Sequence, residues 1–160
     1  MNLETLIARA EISDVVNRYA TGIDSRNWPL YRSIFADEVL FDFTSWSGGE
    51  PQTIRGDDWV ENVRTALSGF DATQHLSSNH VHTVDGDSAT CVSYMVALHH
   101  IADPGGRRMH GIGGHYTNQL LKGPDGWKIH ACTLKVTWEM GDRGLFQIAA
   151  ARWAARNASA

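Results

Sequence analysis

The sequence predicts an α+β fold, with helices first and then a run of long antiparallel strands that can curve around them. Two observations carry this reading. In the first half, apolar residues recur mainly at helical spacing, whereas in the second half they alternate. The alternating runs DSATCVSYMVALHHI, RRMHGIGGHYTNQLL and WKIHACTLKVTWEM are separated by ADPGG and KGPDG, both rich in turn formers, as an antiparallel meander requires.

The first helix begins with Leu3, Leu6, Ile7 and Ala10 at helical spacing and continues with Ile12, Val15, Val16, Tyr19 and Ile23 on nearly the opposite face. The first turns therefore pack against something different from the rest, either a neighbouring subunit or the far side of a break near Ala10. Gly22 and Asp24 mark the helix end, and Asn27 ahead of Trp28-Pro29 reads as the N-cap of a short second helix running to about Phe35. Asp24 is thus placed at a corner between helices. DEVLFDFTSW alternates, with Val39, Phe41 and Phe43 on one side, and predicts the first strand. After a Gly-Gly-Glu-Pro turn, Trp59, Val60, Val63 and Leu67 mark a third helix ending at Gly69. His75 follows on a short segment leading into the strand NHVHTV, and GDRGLFQIAAARWAAR predicts a terminal helix.

A chain of 160 residues has the length of one domain, here 1–160, and such a domain buries roughly 70% of the surface that its unfolded chain exposes. That leaves room for an internal pocket. The formal charge of −4, the isoelectric point near 6.0 and the scattered Lys and Arg argue against a nucleic-acid partner. The opening MNLETLIARAEISD lacks the basic start and apolar stretch of a secretion signal, and no apolar run approaches the roughly 18 residues of a membrane span, so a soluble cytoplasmic protein is expected. Cys91 and Cys132 both fall in strand-like segments and are expected as buried free thiols.

Alternation assigns the strand faces. His130, Cys132, Leu134, Val136 and Trp138 share one side of the last strand, and Lys128, Lys135 and Glu139 lie on the other. His110, Ile112, Gly114, Tyr116 and Asn118 form a second row, and Ser93, Met95, Ala97 and His99 a third. Facing one space, these rows describe an apolar pocket with a few polar groups, given volume by the small residues Ser93, Ala97 and Gly114. A single histidine or tyrosine on a sheet face is more often a packed core or rim residue than a catalyst, so the combination carries the argument. A metal is not expected, because His80 and His82, like the adjacent His99 and His100, have no nearby Glu or Cys at ligand spacing. The chain has no G-x-S-x-G elbow, no G-x-G-x-x-G and no Walker-type loop, which removes the usual marks of a serine nucleophile or a nucleotide cofactor.

GIDSRNW at the end of the first helix, TQH before the second strand, HH in a middle strand and DGWKI opening the last strand together resemble the SnoaL-like branch of the nuclear transport factor 2-like superfamily. The resemblance runs from about Leu6 to Phe146. It implies a cone-shaped, strongly curved antiparallel sheet wrapped around three N-terminal helices and enclosing one deep apolar cavity. In motif the chain is most similar to the scytalone dehydratase and hexachlorocyclohexane dehydrochlorinase members, in which an Asp after the first helix and a His before the long strands act as a dyad. The resemblance places these roles on Asp24 and His75, and a second histidine on His99 or, with a shift of one residue, His100.

The substrate-reading groups of those enzymes are not conserved in kind. Ile23 and Phe43 stand where the dehydratase has two tyrosines, Tyr116 where it has an asparagine, and Cys132 near the position of the dehydrochlorinase arginine. The expected activity is therefore cofactor-independent proton abstraction from carbon on a small apolar or aromatic compound, most readily dehydration of a cyclic or polyketide-like hydroxy-carbonyl. Isomerisation, ring closure and ligand carriage without catalysis are the alternatives. Tyr19, His99, His110 and Tyr116 are candidate proton donors or substrate contacts, and Phe43, Ser93, Met95, Ala97, Ile112, Gly114, Cys132, Leu134 and Val136 candidate cavity-lining residues. The apolar outer row Val92, Tyr94, Val96 and Leu98, like the resemblance, implies a homo-oligomer, a trimer or a dimer.

Overall fold

The computed structural model describes residues 2–103 and 106–158, so the centre of the ADPGG turn lies outside the described residues. Helix α1 runs unbroken over Leu3–Asp24, with Asn2 Oδ1 accepting from the Thr5 backbone N–H at 2.8 Å. The break near Ala10 is absent. Leu3, Leu6 and Ile7 remain exposed while Ile12, Val15, Val16, Tyr19 and Ile23 are buried, because the helix extends past the body it packs on. Helix α2 occupies Trp28–Arg32 behind the Asn27 cap and is shorter than its sequence pattern suggests, since Phe35 already belongs to strand β1, Phe35–Asp42.

The TSW segment, expected to continue β1, instead forms the single turn α3, Thr44–Ser47. Asp42 Oδ1 accepts from the Thr44 backbone N–H and hydroxyl, at 3.2 and 2.7 Å, and turns the chain there. Strand β2, Gln52–Arg55, has no counterpart in the sequence pattern because four mostly exposed residues leave no periodic signal. Helix α4, Gly56–Leu67, precedes the four long strands β3 (Ala72–Asp85), β4 (Ser88–Asp103), β5 (Gly106–Gly123) and β6 (Gly126–Gly141), and helix α5 spans Leu145–Ala158.

The six strands form one sheet in the order β2-β1-β6-β5-β4-β3. Neighbours are antiparallel except for β1 and β6, which run parallel, because the chain leaves β1, builds β2, α4 and the three strands β3 to β5, and returns beside it. Edge-to-face aromatic contacts tie the helices to this junction. Tyr19 meets Tyr31 at 5.0 Å between ring centroids and Tyr31 meets Phe35 at 5.1 Å, while Phe41 stacks on Trp59 at 3.8 Å. Pairs of this kind contribute about 0.5–1.5 kcal/mol each beyond their buried area. Cys91 and Cys132 are buried free thiols, as expected.

Three bulges determine which side chains reach the interior. In β3 the pairing skips between Ser78 and Val81, with Asn79 at φ 54°, so that Thr73, His75 and Ser77 before the skip and His80, His82 and Val84 after it all turn inward. In β6 an extra residue at His130 sends that ring outward, against the expected row, and leaves Cys132 and Leu134 inside. A second extra residue at Thr137, opposite Gly113-Gly114, reverses the phase again. Trp138 consequently lies outside, 43% exposed over Gly113, and Glu139 turns toward His110.

Candidate functional site

Asp24 is the last residue of α1, where the helix dipole disfavours a carboxylate, so it persists there only with donors around it. It has three. His75 Nδ1 lies 2.7 Å from Asp24 Oδ1, the His75 backbone N–H donates to Oδ2 at 2.7 Å, and the Thr73 hydroxyl donates to Oδ1 at 2.9 Å. Burial alone would raise the Asp24 pKa, but the two His75 hydrogen bonds, the His75 charge and Thr73 outweigh it and hold the carboxyl below its ordinary value. Arg26, in the left-handed region at φ 56°, fastens the corner by donating to Thr73 Oγ1 at 2.8 Å, the Ile23 carbonyl at 2.7 Å and the Leu67 carbonyl at 3.1 Å.

An accepting carboxylate on Nδ1 sets the tautomer of neutral His75 as Nδ1–H and leaves Nε2 with its lone pair. His75 lines a cavity of about 300 Å³ whose other walls include Tyr19, Phe43, Trp59, Met95, Tyr116 and Phe146. Ile23 and Phe43 both face this cavity as apolar groups. Of the two adjacent histidines on β4, His99 faces it and His100 points the other way, as the cross-strand pairing of His75 with Ala97 dictates.

Tyr19 and Tyr116 meet at one wall of the cavity, with the Tyr116 hydroxyl donating to Tyr19 at 3.4 Å. Burial raises both phenol pKa values, with Tyr116 adding to the rise at Tyr19 and Cys132 to that at Tyr116, so both keep their O–H protons. His110 is fully buried behind His99 and does not itself line the cavity. Its Nδ1 lies 3.3 Å from His99 Nδ1, and its Nε2 lies 3.0 Å from Glu139 Oε1. Desolvation first, then the neighbouring His75 and His110 rings, push the His99 pKa down to about 3, so its imidazole is neutral.

Met95, Ala97, Ile112 and Leu134 line the cavity with Phe43, whereas Ser93, Gly114, Cys132 and Val136 do not. Alternation specifies a face but not a depth. Ser93 pairs with Tyr116 and Cys132 with Asn118, so both lie where the Tyr19–Tyr116 contact already supplies the wall. Gly114 is occupied by its bulge, and Val136 packs beside Met95, Ala97, Ile112 and Leu134 without reaching the space.

Sequence spacing also gave no sign of two further placements. Cys91 lies directly opposite His82, and the donor atoms of His80, His82 and Cys91 fall within 4.8 Å of one another. Ser13 Oγ sits between the two rings, 2.8 Å from His82 Nε2 and 3.0 Å from His80 Nδ1, and burial pushes the Cys91 thiol up to about 11. The hydrogen bonds of this group run through Ser13, with the Cys91 thiol beside them. Glu139 is the other placement, and the signal for it was the Gly113-Gly114 pair in a strand, which marks a bulge.

A curved sheet closed by helices over an apolar pocket is the cone of the nuclear transport factor 2-like class of α+β folds. Within that class the chain belongs to the SnoaL-like domain family, whose pattern matches residues 4–133. It is similar to the crystal structure of Kfla4162 from Kribbella flavida, with a TM-score of 0.81 and 27% identity over 89% of this chain and 97% of that one. A scytalone dehydratase-like protein of Novosphingobium aromaticivorans has a TM-score of 0.75 and 18% identity over 87% and 90% of the two chains. A type 2 hexachlorocyclohexane dehydrochlorinase has a TM-score of 0.71 and 20% identity over 90% and 95%. These last two likenesses establish the fold. No curated protein matches the chain. Among the described residues, no helix is long and apolar enough to cross a membrane.

Proposed function

We propose that this protein is a cofactor-independent lyase, a dehydratase of a small cyclic or polyketide-like hydroxy-carbonyl compound, with Asp24 and His75 as its general-base pair. The observation that supports it most is the 2.7 Å contact between Asp24 Oδ1 and His75 Nδ1 beside an apolar cavity large enough for a ring compound. His75 Nε2 takes a proton from the carbon next to the carbonyl, and Asp24 stabilises the resulting imidazolium. The carbonyl oxygen becomes an enolate, toward which the O–H groups of Tyr19 and Tyr116 donate. The adjacent C–O bond then breaks with its electron pair going to oxygen, and the proton held on His75 passes to that oxygen. Water leaves, a carbon–carbon double bond forms, and the pair returns to its starting state.

The working unit in this reading is a homo-oligomer, a trimer or a dimer. Tyr94 and Leu76 on the outer sheet face are 59% and 48% exposed, a costly arrangement for a lone chain and a natural one for a covered face. The deciding experiment incubates hydroxy-carbonyl compounds with the protein in deuterium oxide and follows both water loss and deuterium uptake. Elimination that disappears in His75→Ala and Asp24→Asn supports the dehydratase. Exchange without elimination moves the assignment to an isomerase or cyclase, and ligand binding indifferent to both substitutions makes the domain a carrier.

A further inference from the structure

A second carboxylate–imidazole series, separate from Asp24 and His75, reaches the cavity beside His75 through the neighbouring strands β4, β5 and β6. Glu139 Oε1 lies 3.0 Å from His110 Nε2, His110 Nδ1 lies 3.3 Å from His99 Nδ1, and His99 lines the cavity with its ring 5.6 Å from that of His75 and perpendicular to it. Arg143 Nε reaches the same carboxylate oxygen at 3.2 Å, while its guanidinium lies 3.7 Å over the Trp46 ring and donates to the Trp46 carbonyl at 2.6 Å. Arg143 thereby orients Glu139 at the surface end of the series.

We propose that Glu139 and His110 are positioning residues that set the tautomer of His99, so that its Nε2 presents a bare lone pair to the cavity and selects substrates carrying an O–H donor, phenolic or enolic, at that wall. This rests on the reading of the cavity as a substrate site and names the chemistry its second wall recognises. The assignment follows from counting donors. An ionised carboxylate only accepts, so His110 carries its proton on Nε2. Arg143 already balances the Glu139 charge, and a second cation on the fully buried His110 would be unpaired, so His110 is neutral and its Nδ1 is an acceptor. His99 Nδ1 must then donate to it. A neutral imidazole has one N–H, so His99 Nε2 is unprotonated.

The site therefore carries two bare imidazole nitrogens, one on His75 for the carbon acid and one on His99 for a hydroxyl. His99, a candidate proton donor by sequence, acts here as an acceptor. Phe70 and Phe146 pack against its ring at 5.2 and 4.8 Å, which keeps water from substituting for the substrate hydroxyl. A ligand of the same shape without the O–H leaves Nε2 unsatisfied in an apolar wall, and such losses give large discrimination.

Two measurements on the intact protein test this. Nitrogen-15 correlation spectra of the histidine rings at neutral pH should show His99 as the Nδ1–H and His110 as the Nε2–H tautomer, both neutral, and Glu139→Ala should shift His99 toward Nε2–H. A His99 that carries its proton on Nε2 in the unmodified protein, a doubly protonated His110, or a His99 spectrum unmoved by Glu139→Ala overturns the proposal. The second measurement compares the binding of phenol and toluene. Phenol should bind at least about tenfold more tightly, and His99→Phe should remove the preference. A preference that survives His99→Phe assigns the acceptor elsewhere and overturns the proposal, as does equal binding of the two probes. Neither readout needs turnover, so both stand apart from failure of the dehydratase reading in the elimination assay.

Discussion

Asp24 grips His75 twice, once through the ring and once through the backbone, with a 2.7 Å contact from each of its carboxylate oxygens. The backbone contact positions strand β3 against the end of α1, and the ring contact orients the imidazole toward the cavity. One residue thus serves both the placement of the strand and the orientation of the ring.

Asp24→Asn should separate these effects. An amide can still accept from the backbone N–H, so folding should survive, but it neither stabilises an imidazolium nor enforces the Nδ1–H tautomer. Elimination kcat should fall by about 10²–10⁴-fold. The folded-state pKa of Asp24 is lowered, so its contribution to stability is complete above the unfolded carboxyl value near 3.9 and is lost as pH falls through the lower folded value. Denaturant unfolding below about pH 4 should therefore depend less steeply on pH in Asp24→Asn than in the unmodified protein.

Arg26 supports this corner from behind by joining Thr73 to the ends of α1 and α4. Arg26→Ala removes three charge-assisted hydrogen bonds and leaves a non-glycine residue at positive φ. A loss of about 2–4 kcal/mol in urea-unfolding stability is expected. Arg26→Gly, which relieves the backbone while losing the same bonds, should be milder by about 1 kcal/mol.

This corner was legible in the sequence because its signals are local. Gly22, Asp24, Asn27 and Pro29 mark a helix end and a new cap within eight residues, and alternation revealed the long strands. Pairing His75 with Asp24 required the family resemblance, since no periodicity connects residues 51 apart. Glu139 stayed hidden because face assignment by alternation assumes an unbroken pleat, and the extra residue at Thr137 inverts it. The parallel partnership of β1 with β6 is a property of the return path of the chain, which no short stretch encodes.

His99 is kept neutral by burial, with a pKa lowered to about 3 against about 6.5 for an unfolded chain. As pH falls below about 6.5 the unfolded state takes up a proton that the folded state refuses, so stability declines with acidification down to about pH 3. The slope from this one group approaches about 1.4 kcal/mol per pH unit in the middle of that range. His99→Phe should flatten the dependence of unfolding free energy on pH between about 6 and 4. An undiminished slope in the variant would assign the acid sensitivity to other groups, of which His80 and His82, with pKa values also lowered by burial, come first.

Gly113 and Gly114 differ in what they allow. A Cβ on Gly113 would stand 2.1 Å from the Trp138 ring, which is partly exposed and able to swing away, whereas a Cβ on Gly114 would stand 1.9 Å from the Lys135 backbone carbonyl. The backbone of β6 cannot yield there without losing the bulge that turns Glu139 toward His110. Gly114→Ala should therefore cost about 3 kcal/mol or more, and Gly113→Ala distinctly less, when both are compared by chemical denaturation. Where Gly114→Ala still folds, it should disturb the ring signals of His110 and His99 more than that of His75, whose ring Asp24 holds separately.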